Sequence, residues 1–157
     1  MAHSYRCLFF HIIWTTKRRV DAIDCEIKNK LYRHIGGTIL QEGCDLFAIG
    51  GTANHVHVLI KSSGDRLISD IARVIKTNSS KFVNRLGKDY YDFKWQTGYG
   101  VFSIGPSMIN KVCEYILNQE EIHKKRSLDE EFEGLLRKYN KKAPTYVGGE
   151  RRFANRP

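Results

Sequence analysis

The apolar residues of this chain switch between two periods along its length, and that switching constrains the fold more than any other feature. Ser4 to Thr16 (SYRCLFFHIIWTT) is dense in aromatic and β-branched residues and reads as a long buried strand. Lys17-Arg18-Arg19 closes it with a basic turn. Ile27, Leu31, Ile35 and Ile39 then recur at helical spacing, between Asp24 as N-cap and the turn residue Gly43. Asp45 to Gly50 and His55 to Lys61 return to strand, joined as a hairpin by the short run Gly50-Gly51-Thr52-Ala53-Asn54. Leu67, Ile71, Val74, Ile75, Phe82 and Leu86 form the stripe of a second helix. Tyr91 to Trp95 and Tyr99 to Ile104 read as extended segments around Gln96-Thr97-Gly98. Pro106 suits the first turn of a third helix over 107–123. A last helix spans Leu128 to Tyr139, its acidic start Asp129-Glu130-Glu131 matching the helix dipole.

The order strand-helix-strand-strand-helix-strand is the split βαβ arrangement of an α+β, ferredoxin-like sandwich. An antiparallel sheet with helices on one face is therefore expected, with the last two helices as C-terminal additions. At 157 residues the chain suits one domain, placed here at 1–140. Lys141 to Pro157, basic and containing Gly and Pro, is expected to be a flexible tail.

No apolar run approaches the ~20 residues needed to cross a bilayer, and Met1 to Arg6 lacks the pattern of a signal peptide. A cytoplasmic protein without a membrane partner is the expectation. Cys7, Cys25, Cys44 and Cys113 have neither disulfide-framework nor zinc spacing, and read as buried free thiols. The 26 Lys+Arg against 17 Asp+Glu leave a formal charge of +9, which favours a polyanionic partner, nucleic acid before anionic membrane.

The chemistry sits in two short spacings. In the strand Asn54-His-Val-His-Val-Leu-Ile60, His55 and His57 lie two apart and share a face, opposite Val56, Val58 and Ile60. With the apolar set turned toward the helices, the histidines are expected on the open face of the sheet. On the third helix, Tyr115 and Gln119 lie four apart and project together. A phenol with a pKa near ~10 needs help to act as a nucleophile at neutral pH. A divalent ion on the two imidazoles and the Gln119 amide oxygen would polarise a phosphate for Tyr115, and the hard oxygen ligands favour Mg²⁺ or Mn²⁺ over structural zinc. The other reading leaves the histidines as polar surface, Tyr115 as a core or rim residue and Gln119 as solvated. Lys17, Arg18 and Arg19 in the turn, and Lys76, Lys81 and Arg85 on the second helix, are candidates to hold phosphates, or else an ordinary solvated face. Tyr99 and Phe102 are candidates to stack on bases or to pack in the core. His3, His11, His34 and His123 receive no role; His11 on the first strand reads as a satisfied core histidine, with a place beside the site as the other reading.

The ordered set His55-Val-His57 then Tyr115-x-x-x-Gln119 resembles the single-tyrosine HUH transposases of the insertion-sequence 200/605 family (TnpA-like). Trp14-Thr-Thr-Lys-Arg18, Asn78-Ser-Ser-Lys81 and Trp95-Gln-x-Gly-Tyr-Gly-Val-Phe-Ser103 agree, and the likeness runs from about Tyr5 to about Tyr139. The resemblance implies that His55, His57 and Gln119 hold a metal on the scissile phosphate of single-stranded DNA. Tyr115 then forms a 5′-phosphotyrosine and frees a 3′-hydroxyl that later rejoins strands, with no nucleotide cofactor. It also implies a homodimer and recognition of a DNA hairpin. A domesticated relative acting on chromosomal hairpin repeats, a replication initiator or relaxase, and a non-catalytic ferredoxin-like nucleic-acid binder are the rival readings.

Overall fold

The structure, a computed structural model, describes residues 4–139, 145–147 and 150–152. Four strands form one antiparallel sheet: β1 (Leu8–Thr15), β2 (Asp45–Thr52), β3 (His55–Ser62) and β4 (Gly100–Ile104), in the order β2-β3-β1-β4. This is the expected split βαβ topology. Ala53 and Asn54 alone make the β2–β3 turn, because β2 continues through the two glycines to Thr52, which pairs with His55.

Helices α1 (Cys25–Gln41) and α2 (Ile68–Asn84) cover one face of the sheet. Asp24 caps α1 as expected, its carboxylate accepting from the backbone N–H groups of Glu26 and Ile27 at 2.9 and 3.0 Å. Ile27, Leu31, Ile35 and Ile39 of α1 and Ile71, Ile75 and Val83 of α2 pack on Ile12, Trp14, Val56, Val58 and Ile60. Leu67 falls outside this stripe: it precedes the helix and is 70% exposed.

Three expectations need correction. Tyr91 to Trp95 is not a strand; it follows a short 3-10 turn (Lys88–Tyr90) and makes an isolated β-bridge, Thr16–Trp95, rather than a ladder. Its apolar residues serve the core as a loop. Phe93 is buried and Trp95 meets both Trp14 and Phe93 edge-on, its indole N–H donating to Ser79 Oγ at 2.9 Å. The third helix is not continuous. A 3-10 turn (Pro106–Met108) leads into α3 (Ile109–Leu117), and Asn118, at φ −98° and ψ 19°, separates it from α4 (Gln119–His123). Asparagine tolerates that bridge conformation because its side chain competes with helical hydrogen bonding. Finally, Cys7 and Cys25 are exposed rather than buried; all four cysteines are free.

The chain divides into two compact units, Met1–Lys124 and Lys125–Pro157. In the second, α5 (Leu128–Tyr139) starts with a reciprocal cap. The Ser127 N–H donates to Glu130 Oε2 at 2.9 Å and the Glu130 N–H to Ser127 Oγ at 3.2 Å. Strands β5 (Thr145–Val147) and β6 (Glu150–Arg152) pair antiparallel. The rest of the proposed flexible tail lies outside the described residues. No helix among the described residues is long and apolar enough to cross a membrane.

Candidate active site

Register alone determines which side chains share the second face of the sheet. Residues directly opposite one another project to the same side. Ile13 pairs with His57 and Thr15 with His55, while Gly50 and Thr52 pair with the same two histidines from the other flank. His11 lies one pair further along β1, diagonal to His57. The alternation in β3 therefore places His55 and His57 opposite Val56, Val58 and Ile60, as expected.

That face is not open. Both histidines have no exposed surface, and Gln119 is 1% exposed. Helix α3 lies across β2 and β3 on this side. Its approach is set by Gly50, where a Cβ would stand 2.1 Å from the Ile116 carbonyl oxygen. Any side chain there would push the helix away, so the glycine allows backbone-to-backbone contact. The helix brings Tyr115, half-buried, to the histidines of its own chain: its ring centroid is 5.9 Å from that of His57 and 6.0 Å from that of His11, both edge-on.

Gln119 reaches the same place from the first turn of α4. Its Oε1 stands 3.2 Å from His55 Nε2, while its Nε2 donates to the Tyr115 carbonyl at 3.4 Å. The other nitrogen of His55, Nδ1, lies 2.8 Å from Asn54 Oδ1 and 2.9 Å from Thr52 Oγ1, and the threonine hydroxyl also reaches Asn54 Oδ1 at 3.2 Å. His57 Nδ1 is 2.9 Å from His11 Nε2, the two rings stacked at 5.1 Å and 27°. His123, from the end of α4, sets its ring 4.6 Å from that of His55.

Burial keeps these imidazoles neutral. It pulls His11 and His55 down to about 4, the Gln119 contact opposing the shift at His55 and the nearby His123 adding to it. His57 lies well below the ordinary histidine range, chiefly by burial and then by the neighbouring His11, His55 and His123. Neutral imidazole is the form that ligates a metal.

The donor set fits a divalent cation. Asn54 Oδ1 only accepts, and a His55 protonated on Nδ1 toward it would turn the Nε2 lone pair to the same space as the Gln119 oxygen. A proton on Nε2 or a shared cation would each make that contact favourable. At 3.2 Å apart, the His55 nitrogen and the Gln119 oxygen are close enough that both would reach one cation.

The basic candidates lie elsewhere. Lys17 and Lys76 line one cavity of about 380 Å³ together with Lys94, Ser80 and Trp95. The Lys76 ammonium donates to the carbonyls of Gln96 and Gly98 at 2.7 and 2.6 Å. Arg18 and Arg19 adopt left-handed backbone at φ 58° and 56°, and expose their side chains in the 3-10 turn after β1. Such a conformation costs non-glycine residues on the order of 1–2 kcal/mol each and concentrates at functional sites. Lys81 and Arg85 are exposed, on and just after α2. Phe102 is buried, while Tyr99 is partly exposed.

Sequence reasoning gave no role to His123, Asn54 or Thr52, and read His11 as a core histidine before a neighbour of the site. His11 carried a readable signal, a polar ring inside the apolar run Leu8–Trp14. The others depend on turn geometry and loop placement that spacing does not encode.

Comparison with known proteins agrees with this architecture. The family described as IS200-like transposase matches residues 4–119. The ISDra2 transposase TnpA of Deinococcus radiodurans is 21% identical over 122 residues, covering 73% of this chain and 85% of that protein. A transposase structure from Deinococcus radiodurans R1 superposes with a TM-score of 0.58 at 22% identity, covering 76% of this chain and 96% of the other. A REP-associated tyrosine transposase, solved bound to a REP hairpin, superposes at 0.52 and 18% identity, covering 74% and 70%. The family match takes in the sheet, the histidine pair, the tyrosine helix and Gln119 together, and the chain belongs to the IS200-like transposase family.

Proposed function

We propose that this protein cuts and rejoins single-stranded DNA, with Tyr115 as nucleophile and His55, His57 and Gln119 holding a divalent cation, Mg²⁺ or Mn²⁺. The observation that carries the reading is the meeting of the half-buried Tyr115 with the neutral histidine pair on one sheet face of a single chain. When bound, the ion would polarise the scissile phosphate and offset the charge that builds on it. The Tyr115 oxygen attacks phosphorus, the bond to the 3′ oxygen breaks, and the phenol proton passes to solvent while the leaving 3′ oxygen takes one up. A 5′-phosphotyrosine and a free 3′-hydroxyl result. Attack of a 3′-hydroxyl on that phosphotyrosine reverses the step and joins strands, so no nucleotide triphosphate is consumed.

Lys17, Arg18, Arg19, Lys76, Lys81 and Arg85 would neutralise DNA phosphates and make binding salt-dependent. A hairpin-bearing substrate is supported by the REP-hairpin complex of the REP-associated relative. The homodimer expected from the resemblance remains part of this reading, and the contact of Tyr115 with His57 within one chain supports a site built from β3 and α3 of the same protomer.

The test is to incubate the protein with hairpin-bearing single-stranded DNA and Mg²⁺ or Mn²⁺ and to resolve the products in SDS. A covalent protein–DNA adduct is expected from the wild type and none from Tyr115→Phe. An adduct of equal yield from Tyr115→Phe would remove the proposed nucleophile. Unchanged DNA handling by that variant, with no adduct from either protein, would favour the non-catalytic binding module.

A further inference from the structure

We propose that His11 is a positioning residue: its Nε2 accepts the proton of His57 Nδ1 and so fixes His57 in the tautomer that presents Nε2 to a divalent cation. The proposal rests on the metal reading above and concerns a residue that reading does not use.

The contact His11 Nε2···His57 Nδ1 is 2.9 Å, and only one of the two nitrogens can carry the shared proton. With the proton on His11, His57 Nδ1 becomes the acceptor, its own proton moves to Nε2, and that nitrogen has no lone pair for a metal. With the proton on His57, Nε2 becomes a ligand and His11 carries its remaining proton on Nδ1. The ion-binding form therefore needs His11 as acceptor. His55 has its own such partner, the Asn54 oxygen at 2.8 Å, so each histidine of the pair has a neighbour at Nδ1 that would leave Nε2 for an ion.

The geometry holds His11 to this role. It lies on the central strand β1, diagonal to His57, with 1% of its surface exposed. Its ring stacks on His57 at 27° and meets Tyr115 edge-on at 6.0 Å. An apolar residue of this size would fill the same space, so the cost of burying an imidazole here calls for a reason beyond packing.

The experiment measures Mn²⁺ affinity of the full chain, by titration followed with electron paramagnetic resonance, for wild type, His11→Phe, His11→Gln and His57→Ala. His11→Phe removes the acceptor and keeps the bulk, and is expected to weaken Mn²⁺ about 10- to 100-fold in a chain that still unfolds cooperatively. His11→Gln offers an amide oxygen to His57 Nδ1 and is expected to restore most of the affinity. Wild-type affinity in His11→Phe, or equal loss in the two His11 variants, would overturn the assignment. A wild type that binds no Mn²⁺, or binds it equally after His57→Ala, removes the metal reading itself and the proposal with it. A readout independent of any variant is the imidazole nitrogen spectrum of the wild type with Mg²⁺. His57 protonated on Nδ1 supports the role, and His57 protonated on Nε2 refutes it.

Discussion

Strand β3 is buried equally on its two sides and serves opposite ends with them. Val56, Val58 and Ile60 face α1 and α2, His55 and His57 face α3, and all five have no exposed surface. On the first side burial stabilises, at about 25 cal/mol per Å² of apolar area. On the second it costs, because polar rings leave water and must find partners inside the protein. The partners are present: Asn54 and Thr52 at His55, His11 at His57. One face of the sheet thus holds the fold together and the other is maintained at its expense. If that division is real, substitutions on the two faces should separate stability from chemistry.

The largest effect is expected where the tyrosine helix meets the sheet. Gly50→Ala places a methyl group 2.1 Å from the Ile116 carbonyl, and α3 must move by roughly an ångström to clear it. A misplacement of that size typically lowers the rate of a positioned reaction by about 100-fold. The measurement is the rate of covalent adduct formation, with near-ultraviolet circular dichroism reporting the core. A rate within a few-fold of wild type would mean that α3 does not set the position of Tyr115.

A smaller effect follows from the neutral histidines. His11 and His55 are held near 4, below the 6.5 of a free imidazole, so the unfolded chain binds more protons between these values. The stability this contributes is fully present above about 6.5 and is lost as pH falls through about 4. For His11 alone the loss between about pH 7 and pH 5 is on the order of 2 kcal/mol. Urea unfolding of the chelator-treated protein should show that decline, and His11→Gln, which has nothing to titrate, should show less of it. Identical pH dependence in the two proteins would break the claim that the second face is held at a cost in stability.

The two faces were unequally legible in the sequence. The apolar face could be read directly: Ile27, Leu31, Ile35 and Ile39 at helical spacing are all buried, and Val56, Val58 and Ile60 lie where alternation puts them. The polar face could be read only in parity. Period-two alternation put His55 and His57 together but could not say that a helix would cover them, since that depends on Gly50, opposite His57, and on the break at Asn118. Phe93 and Trp95 misled for a related reason. An apolar run fills a core equally well from a loop, and the hydrogen bonds that distinguish loop from strand are made by backbone, which side-chain pattern does not record.

The smallest expected effect is the sharpest test of the division. Ile12 sits on β1 between His11 and Ile13, has no exposed surface, and pairs with Val58 on one flank and Val101 on the other. Its side chain points to the apolar face, although its backbone is continuous with that of His11. Ile12→Val removes one methylene and is expected to lower the unfolding free energy by about 0.5–1.5 kcal/mol. Adduct formation per folded molecule should not change, because the pleat sends the loss into the α1 and α2 core and away from the histidine side. The position offers the shortest covalent route between the two faces, one residue from His11. A rate reduced in proportion to the lost stability would show that the backbone of β1 transmits core packing into the site. An unchanged rate would mean that the sheet insulates its chemistry from its core even between adjacent residues.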